Sequence, residues 1–167
     1  MNNQPKSRPR LIALCGYKGV GKTTYAKFLA GENGVVLSFA TPIKHMLRTL
    51  VGHEYVFGDK KNEMTHLGVT GRVLLQTLGT EWGRVEISKY TGDQDIWVRA
   101  MKHVLTDALF EEYHPIVIDD LRFENEAKMV RELGGEVWEI DRKNFTPAND
   151  NHISESGVTE VDKKVLI

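Results

Sequence analysis

Residues 16–23 have the types and the spacing of a loop that binds phosphate. They fit the pattern G-x-x-x-x-G-K-[ST], in which glycines allow a tight turn that aims several backbone N–H groups at one anion. In such a loop Lys22 places its charge on the β- and γ-phosphates, and the hydroxyl of Thr23 ligates Mg²⁺. By itself the loop predicts a protein that binds the phosphates of a nucleotide. The predicted contacts are Gly16, Gly19, Val20, Gly21, Lys22, Thr23 and Thr24.

The elements on either side are those that must hold such a loop in place. An apolar run at residues 11–15 predicts a strand before it, and residues 24–30 have helical spacing, with Gly31 and Gly34 as stop signals. The N-terminus of that helix adds its dipole to the attraction for phosphate. The plainer alternative is a glycine-rich turn in some other α/β protein, and it explains neither the complete motif nor its setting.

Length and composition indicate one α/β domain, residues 11–167, preceded by a flexible basic arm, residues 1–10. The chain has 167 residues, a net charge of −1 and a single cysteine, Cys15. The near-balanced charge disfavours a nucleic-acid surface, and no apolar stretch approaches membrane-spanning length. Because one cysteine cannot form an intrachain disulfide, a reducing compartment, the cytoplasm, is the simpler interpretation.

The rest of the chain alternates predicted strands and helices, which indicates a parallel sheet. Residues 52–68 are polar with little periodicity, and we interpret them as a mobile surface segment. The predicted strands are residues 35–39, 116–120, 137–140 and 165–167. The predicted helices are residues 42–51 with Thr41 as cap, a helix capped by Thr70 with Val73, Leu74 and Leu78 as its apolar stripe, residues 95–113 with Trp97 in the core, and residues 124–133.

Two carboxylates and three arginines are candidates to complete a phosphoryl-transfer site. Asp119 and Asp120 end a buried strand, where a carboxylate can orient the Mg²⁺ shell. Because successive strand residues face opposite sides, only one of the two can point into the site. Arg72, Arg122 and Arg142 are candidates to neutralise charge on the transferred group, and a solvated surface side chain is the alternative for each.

Other chemistries lack their motifs. The six histidines form neither an H-x-x-x-H pair nor a cluster with the cysteine, so a zinc site has no support. There is no G-x-S-x-G for acyl transfer and no N-K-x-D for guanine, and a motor or helicase would need more chain. What remains is a small kinase that acts on a small acceptor.

Six ordered blocks resemble the bacteriophage deoxynucleoside monophosphate kinases of the P-loop kinase superfamily. The blocks are GYKGVGKT at residues 16–23, ATPIK at 40–44, RVLLQTLGT at 72–80, WV at 97–98, DLR at 120–122 with NE at 125–126, and HISE at 152–155. The resemblance implies a three-layer α/β/α fold with a central parallel sheet, ATP and Mg²⁺ at the loop, and a deoxynucleoside monophosphate as the acceptor. It makes residues 52–68 part of the acceptor side and residues 142–157 a lid-like loop. It leaves a homodimer open, and a phage-encoded chain would work in the host cytoplasm.

The resemblance also implies which residues act. Lys22 neutralises the transferred group, Arg72 and Arg122 clamp the acceptor phosphate, and Arg142 closes over the donor. The implied catalytic residues are Lys22, Arg72, Arg122 and Asp120. The implied acceptor contacts are Lys44, Arg72, Gln76, Gly79, Thr80, Trp97, Asp120, Arg122 and Glu126. Lys18 reaches phosphate beside Lys22, and the implied Mg²⁺ contacts are Thr23 and, through water, Asp120.

The reaction implied by this resemblance gives ADP and a deoxynucleoside diphosphate. The acceptor phosphate is largely dianionic near neutral pH, because its second pKa is about 6, and it needs no general base. Two alternatives stay open at this point. One is a related small-molecule kinase, such as the phosphomevalonate kinases, and the other is a module that senses nucleotide without turnover.

Overall fold

A computed structural model describes residues 10–146 and 158–167 of the chain. Apart from Arg10, the predicted basic arm lies outside the described residues, as do the block at residues 152–155 and residues 147–157 of the predicted lid. The strands are β1 Leu11–Cys15, β2 Val35–Leu37, β3 Ile116–Ile118, β4 Glu136–Asp141 and β5 Lys163–Leu166. The α-helices are α1 Lys22–Ala30, α2 Thr41–Val51, α3 Gly71–Gln76, α4 Ser88–Thr91, α5 Ile96–Val104, α6 Asp107–Glu112 and α7 Glu124–Glu132. A 3-10 turn spans Asp59–Asn62, and a π-helix, the wide helix below, spans Thr77–Glu86.

The five strands form one parallel sheet in the order β2-β3-β1-β4-β5. Strand β1 lies at its centre and is buried along its whole length, as a strand with parallel neighbours on both sides must be. Its register pairs Ala13 with Ile118 of β3 and with Val137 of β4. The carboxyl ends of β1 and β3 therefore meet at one edge of the sheet, which is where parallel sheets place their sites.

Helices cover both faces of the sheet. Ala26 and Ala30 of α1 pack in one cluster with Ile12 and Leu14. Successive strand residues face opposite sides, so Leu11 faces away from α1. On that second face a Cβ built on Gly135 would meet Leu11 and Val130 of α7. The prediction of an α/β fold with helices on both sides of a central parallel sheet is confirmed.

The chain divides into two compact units. Met1–Ser38 with Val104–Ile167 form the first, which contains the sheet and is called the sheet unit below. Phe39–His103 form the second, called the helical unit. The interpretation of residues 11–167 as one domain stays a prediction.

The core of the helical unit is built on one side of α2. Ile43, Leu47 and Val51 recur at the spacing of a helix face and pack with Val56 and Trp97. The predicted bounds of α2 agree with the structure to within one residue. Its N-cap is Ala40 rather than Thr41, because the helical backbone begins at Thr41 itself.

The interpretation of residues 52–68 as a surface segment is wrong in part. Val56 is fully buried, and Tyr55 and Phe57 on either side pack against the same cluster. Thr65 is buried as well, and its hydroxyl donates to the carbonyl of Val69 at 2.7 Å. Single apolar anchors of this kind give no periodicity, which is why the sequence pattern did not reveal them.

Two predicted helices need correction. The helix predicted at residues 95–113 is two helices, because the hydroxyl of Thr106 accepts from the N–H of Leu109 and starts a new helix there. The predicted cap at Thr70 is confirmed, since its hydroxyl accepts from Val73 N–H at 3.3 Å. The side chain of Val73 was expected in the apolar stripe, but it is 47 % exposed, and Leu75 packs against the core instead.

Candidate functional site

The glycine-rich loop connects β1 to α1 at the central edge of the sheet. Gly16 and Gly21 have φ angles of +127° and +112°, in the region that only glycine adopts readily. A Cβ on Gly16 would also lie closer than 3.0 Å to the carbonyl oxygen of Ile140, which is backbone and cannot move aside. Val20 is fully buried beneath the loop, and the side chains of Lys18 and Thr24 are exposed. The loop therefore has the backbone that its sequence predicts.

Lys22 folds back over the loop that precedes it. Its ammonium group donates to the carbonyl oxygens of Gly16 and Tyr17, at 2.7 and 2.8 Å. Burial lowers the pKa of Lys22 below its ordinary value of 10.5, and the nearby positive charge of Arg122 lowers it further. Two cations thus share this edge of the sheet, where an anion between them would relieve their repulsion.

The two carboxylates after β3 have different partners. Asp119 accepts a hydrogen bond from the hydroxyl of Thr23 at 2.7 Å, and Asp120 accepts one from the hydroxyl of Ser38 at 2.6 Å. Asp119 comes two residues after Val117, which packs on the α1 side of the sheet, so alternation directs it toward α1 and Thr23. The two side chains therefore have different partners, and Asp119 is the one bonded to Thr23. That only one of the pair serves the site stays a prediction. The role of Asp120 beside Mg²⁺ stays a prediction.

Sequence reasoning missed Ser38, although a signal for it existed. The residue directly follows β2, whose carboxyl end lies at the same edge as those of β1 and β3. Its side chain is buried, and its partner Asp120 is a predicted catalytic residue. A polar residue at the end of a buried parallel strand is a candidate by position alone.

Arg122 and Glu126 are linked through the backbone. The side chain of Arg122 is exposed, whereas Glu126 is only 2 % exposed. One carboxyl oxygen of Glu126 accepts from the backbone N–H groups of Arg122 and Phe123, at 2.8 and 3.2 Å. The implied role of Glu126 as an acceptor contact stays a prediction, and its observed partners are in the protein.

Two apolar side chains from the C-terminal part of the chain lie beside the glycine-rich loop. A Cβ on Gly19 would lie 3.8 Å from the ring of Phe145, and one on Gly21 would lie 3.0 Å from Ile167. Arg142 follows β4 and is exposed, and its carbonyl accepts from the N–H of Phe145 at 3.1 Å. The sequence pattern gave no sign that Phe145 and Ile167 would lie beside the loop, because that placement depends on where β4 and β5 end.

The other predicted acceptor contacts belong to the helical unit. Arg72 and Gln76 are exposed and four residues apart, at neighbouring positions on one side of α3. Lys44 lies on α2, with its ammonium group 5.8 Å from the ring centroid of Phe57. These three side chains are thus presented at the surface of that unit or near it.

The wide helix contains Gly79 and Thr80, and Trp97 is hydrogen-bonded to it. Trp97 is 4 % exposed, and its indole N–H donates to the carbonyl of Gly79 at 2.8 Å. Thr80 is exposed on the same helix. The sequence placed Trp97 in the core by default and the resemblance made it an acceptor contact. Its burial agrees with the core position, and the acceptor role stays a prediction.

The fold and the site define a class of protein: an α/β fold consistent with a P-loop kinase. A family model described as deoxynucleotide monophosphate kinase matches residues 53–167, a range that begins after the glycine-rich loop. A protein of Acanthamoeba polyphaga mimivirus, named "Putative deoxynucleotide monophosphate kinase", is 34% identical over 155 residues, which cover 87% of this chain and 80% of that relative. The chain belongs to the deoxynucleotide monophosphate kinase family.

The helices of residues 10–146 and 158–167 include none that is both long and apolar enough to cross a membrane. The bacteriophage part of the resemblance, the cytoplasmic location, the absence of nucleic-acid partners and the homodimer stay predictions.

Proposed function

We propose that this protein transfers the γ-phosphoryl group of ATP, bound with Mg²⁺, to a deoxynucleoside monophosphate and releases ADP and the diphosphate. The observation that carries the donor half is the arrangement of Lys22, Thr23 and Asp119 at one edge of the sheet. The acceptor half rests on membership of the family.

The residues of the sheet unit fit a donor phosphate with its metal. When bound, Mg²⁺ would neutralise part of the charge of the donor phosphates. The Thr23 hydroxyl is a ligand of the kind that Mg²⁺ takes, and Asp119, bonded to that hydroxyl, would orient it and hold the hydration shell. We therefore prefer Asp119 to Asp120 for this role.

Positively charged side chains carry most of the remaining roles in the proposed site. The acceptor phosphate is already an anionic nucleophile, so the protein needs to position it and offset the charge that builds up during transfer. Lys22 is suited to the transferred group, because it is the first residue of α1 and its ammonium group lies over the loop, against the Gly16 carbonyl. Lys18 and Arg142 are assigned to the donor, and Arg72, Arg122 and Lys44 to the acceptor phosphate.

The nucleoside of the acceptor is assigned to residues of the helical unit. Gln76, Gly79, Thr80 and Trp97 are assigned to the acceptor on the resemblance alone. Gln76 and Thr80 are exposed and therefore accessible to a ligand. Trp97 is buried and hydrogen-bonded, so its contribution to a nucleoside would be through the shape of the wide helix.

A coupled assay for ADP release tests the function. The protein with ATP and Mg²⁺ is offered each of the four common deoxynucleoside monophosphates, the corresponding ribonucleotides and, as a competitor substrate, phosphomevalonate. We expect turnover with at least one deoxynucleotide, and product analysis should show the diphosphate. Tight ATP binding without transfer to any of these acceptors would contradict the proposal and favour a nucleotide sensor.

A further inference from the structure

The turn that follows β3, residues 119–122, carries three side chains of the proposed site and is fastened by three others. Thr23 donates to Asp119, and Ser38 donates to Asp120. The third interaction differs, because Glu126 accepts from the backbone N–H groups of Arg122 and Phe123 rather than from a side chain. Each end of the turn is thus tied to a different element of the sheet unit.

Glu126 is the most buried of these partners. It is 2 % exposed, and its neighbours Ala127 and Met129 on α7 are buried as well. A carboxyl group at such a place costs free energy unless its oxygens are hydrogen-bonded. Two backbone N–H groups, those of Arg122 and Phe123, converge on its Oε2 atom. The burial is explained by these bonds, and a substrate could not reach this oxygen without breaking them.

The position of Glu126 in its helix allows this contact. It is the third residue of α7, and a glutamate there reaches back to the N–H groups that precede the helix. Capping alone needs only the N–H of Phe123, the residue before the helix. The shorter of the two bonds goes one residue further, to Arg122. Glu126 therefore fixes the backbone from which the Arg122 side chain departs.

The hydrogen bond to Glu126 affects the placement of the Arg122 side chain. Arg122 lies in the same turn as Asp119, whose carboxylate accepts from Thr23 of the glycine-rich loop. The direction in which the Arg122 side chain leaves the backbone therefore decides how its charge meets an anion held beside that loop. An error of about 1 Å in such a placement can cost on the order of a hundredfold in rate.

Resting on the proposed function, we propose that Glu126 is a positioning residue that acts through Arg122 and does not touch the substrate. This revises the role that the resemblance implied for Glu126. It also separates Glu126 from Glu124, which lies in the same first turn of α7, is exposed, and accepts from the N–H and hydroxyl of Thr159 at 2.5 and 2.6 Å. Glu124 is therefore a matched control.

A double-mutant cycle between Glu126→Ala and Arg122→Ala tests the proposal. In the wild-type background Glu126→Ala should raise KM for the deoxynucleoside monophosphate about tenfold or more and change KM for ATP little. In the Arg122→Ala background the same substitution should have almost no further effect on KM, because the group that it positions is gone. Glu124→Ala should leave both KM values near wild type.

The variants are also compared by NMR of the Arg122 side-chain Nε–Hε group, which does not depend on turnover and is assigned by its loss in Arg122→Ala. Glu126→Ala should shift this resonance because it releases the backbone that holds Arg122, and Glu124→Ala should leave it in place. If Glu126→Ala does not fold, Glu126→Asp replaces it, since its shorter side chain withdraws from the two N–H groups while keeping the charge.

The outcomes separate the two proposals. Wild-type protein without turnover on any deoxynucleotide rejects the proposed function, and the Arg122 resonance then decides on Glu126 alone. Equal effects of Glu126→Ala on KM in both backgrounds would show that the residue supports the fold in general and would overturn the positioning role. An unchanged KM with an unchanged Arg122 resonance would overturn it too.

Discussion

The glycine-rich loop of the sheet unit and the wide helix of the helical unit both depend on glycines that tolerate no Cβ. At Gly16 a Cβ would lie closer than 3.0 Å to a backbone oxygen, and at Gly83 it would lie closer than 3.0 Å to the ring of Trp97. The origin of the constraint differs. Gly16 needs a left-handed φ of +127°, whereas the neighbour that excludes a Cβ at Gly83 comes from another helix. Gly16 is thus constrained by its own backbone angle as well as by a tertiary contact with Ile140, whereas the constraint on Gly83 is a tertiary contact alone.

This difference explains why one region could be predicted and the other could not. A loop whose shape is set by glycines and a lysine at fixed spacing has the same shape wherever the motif occurs in its setting. A π-helix is rare, and here it accompanies the packing of Trp97, whose indole also donates to the Gly79 carbonyl. Nothing in residues 77–86 taken alone distinguishes it from an ordinary helix.

The largest effect on activity is expected from substitution of Lys22 in the glycine-rich loop. We expect Lys22→Ala to lower kcat by roughly a hundredfold or more, because it removes a charge that offsets developing negative charge. Thermal unfolding should show little loss of stability, because burial and the charge of Arg122 disfavour the Lys22 cation and offset its two hydrogen bonds to loop carbonyls. Undiminished turnover would reject the assignment of the loop to the donor.

Substitution of Asp119 and Asp120 gives a second test of the site around the glycine-rich loop. Asp119→Asn should lower activity by about 10- to 100-fold by weakening the orientation of the Thr23 hydroxyl. Asp120→Asn should have the smaller effect, because Thr23, the proposed Mg²⁺ ligand, donates to Asp119, whereas Ser38 donates to Asp120. Varying the Mg²⁺ concentration tests the cause, since the Asp119 variant should require more Mg²⁺. The reverse ranking would restore Asp120 as the metal-side carboxylate.

The wide-helix side is tested by stability. We expect Gly83→Ala to cost about 1–3 kcal/mol in the free energy of unfolding, because the new methyl group displaces the Trp97 ring. Gly79→Ala is the matched control, since its Cβ would meet only the end of the Ile43 side chain at 3.2 Å. Urea denaturation of both variants measures the difference. Equal stability of the two would show that Trp97 does not constrain the helix.

The smallest expected effect is on the pH dependence of the free energy of unfolding, through the charge of Lys22. Its pKa is lowered in the folded state, so between that lowered value and 10.5 the unfolded chain binds more protons at this group. The free energy of unfolding should therefore rise with pH in that window. Lys22→Met lacks the group and should lack this contribution. The wild-type minus Lys22→Met difference in stability, measured across the alkaline range, would be flat if the lysine were not perturbed.

The parts of the fold that follow local rules were predictable from the sequence. Strand β1, the loop and α1 form one uninterrupted signal, and the bounds of α7 and β4 were predicted to within about a residue. The break near Thr106 was missed because the apolar spacing continues across it. The burial of Val56 was missed because a single anchor has no period.

The site was predictable in its residue types and less so in their assignment. Alternation required Asp119 and Asp120 to separate, but which of them faces the loop depends on which face of β3 packs against α1. The internal role of Glu126 required its burial to be known. Distances within a short motif are fixed by the chain, whereas these assignments come from contacts between residues far apart in sequence.

The order of strands in the sheet has a consequence for how the protein folds. Strand β1, which leads into the loop, has β3 and β4 as its only neighbours in the described sheet, and both come from beyond residue 115. Most of the chain must therefore be made before the loop has a scaffold. Pairings this distant in sequence slow folding, because a long segment loses its freedom before the contact forms. During synthesis the glycine-rich loop is made early, but the strands that hold β1 in place are made only later.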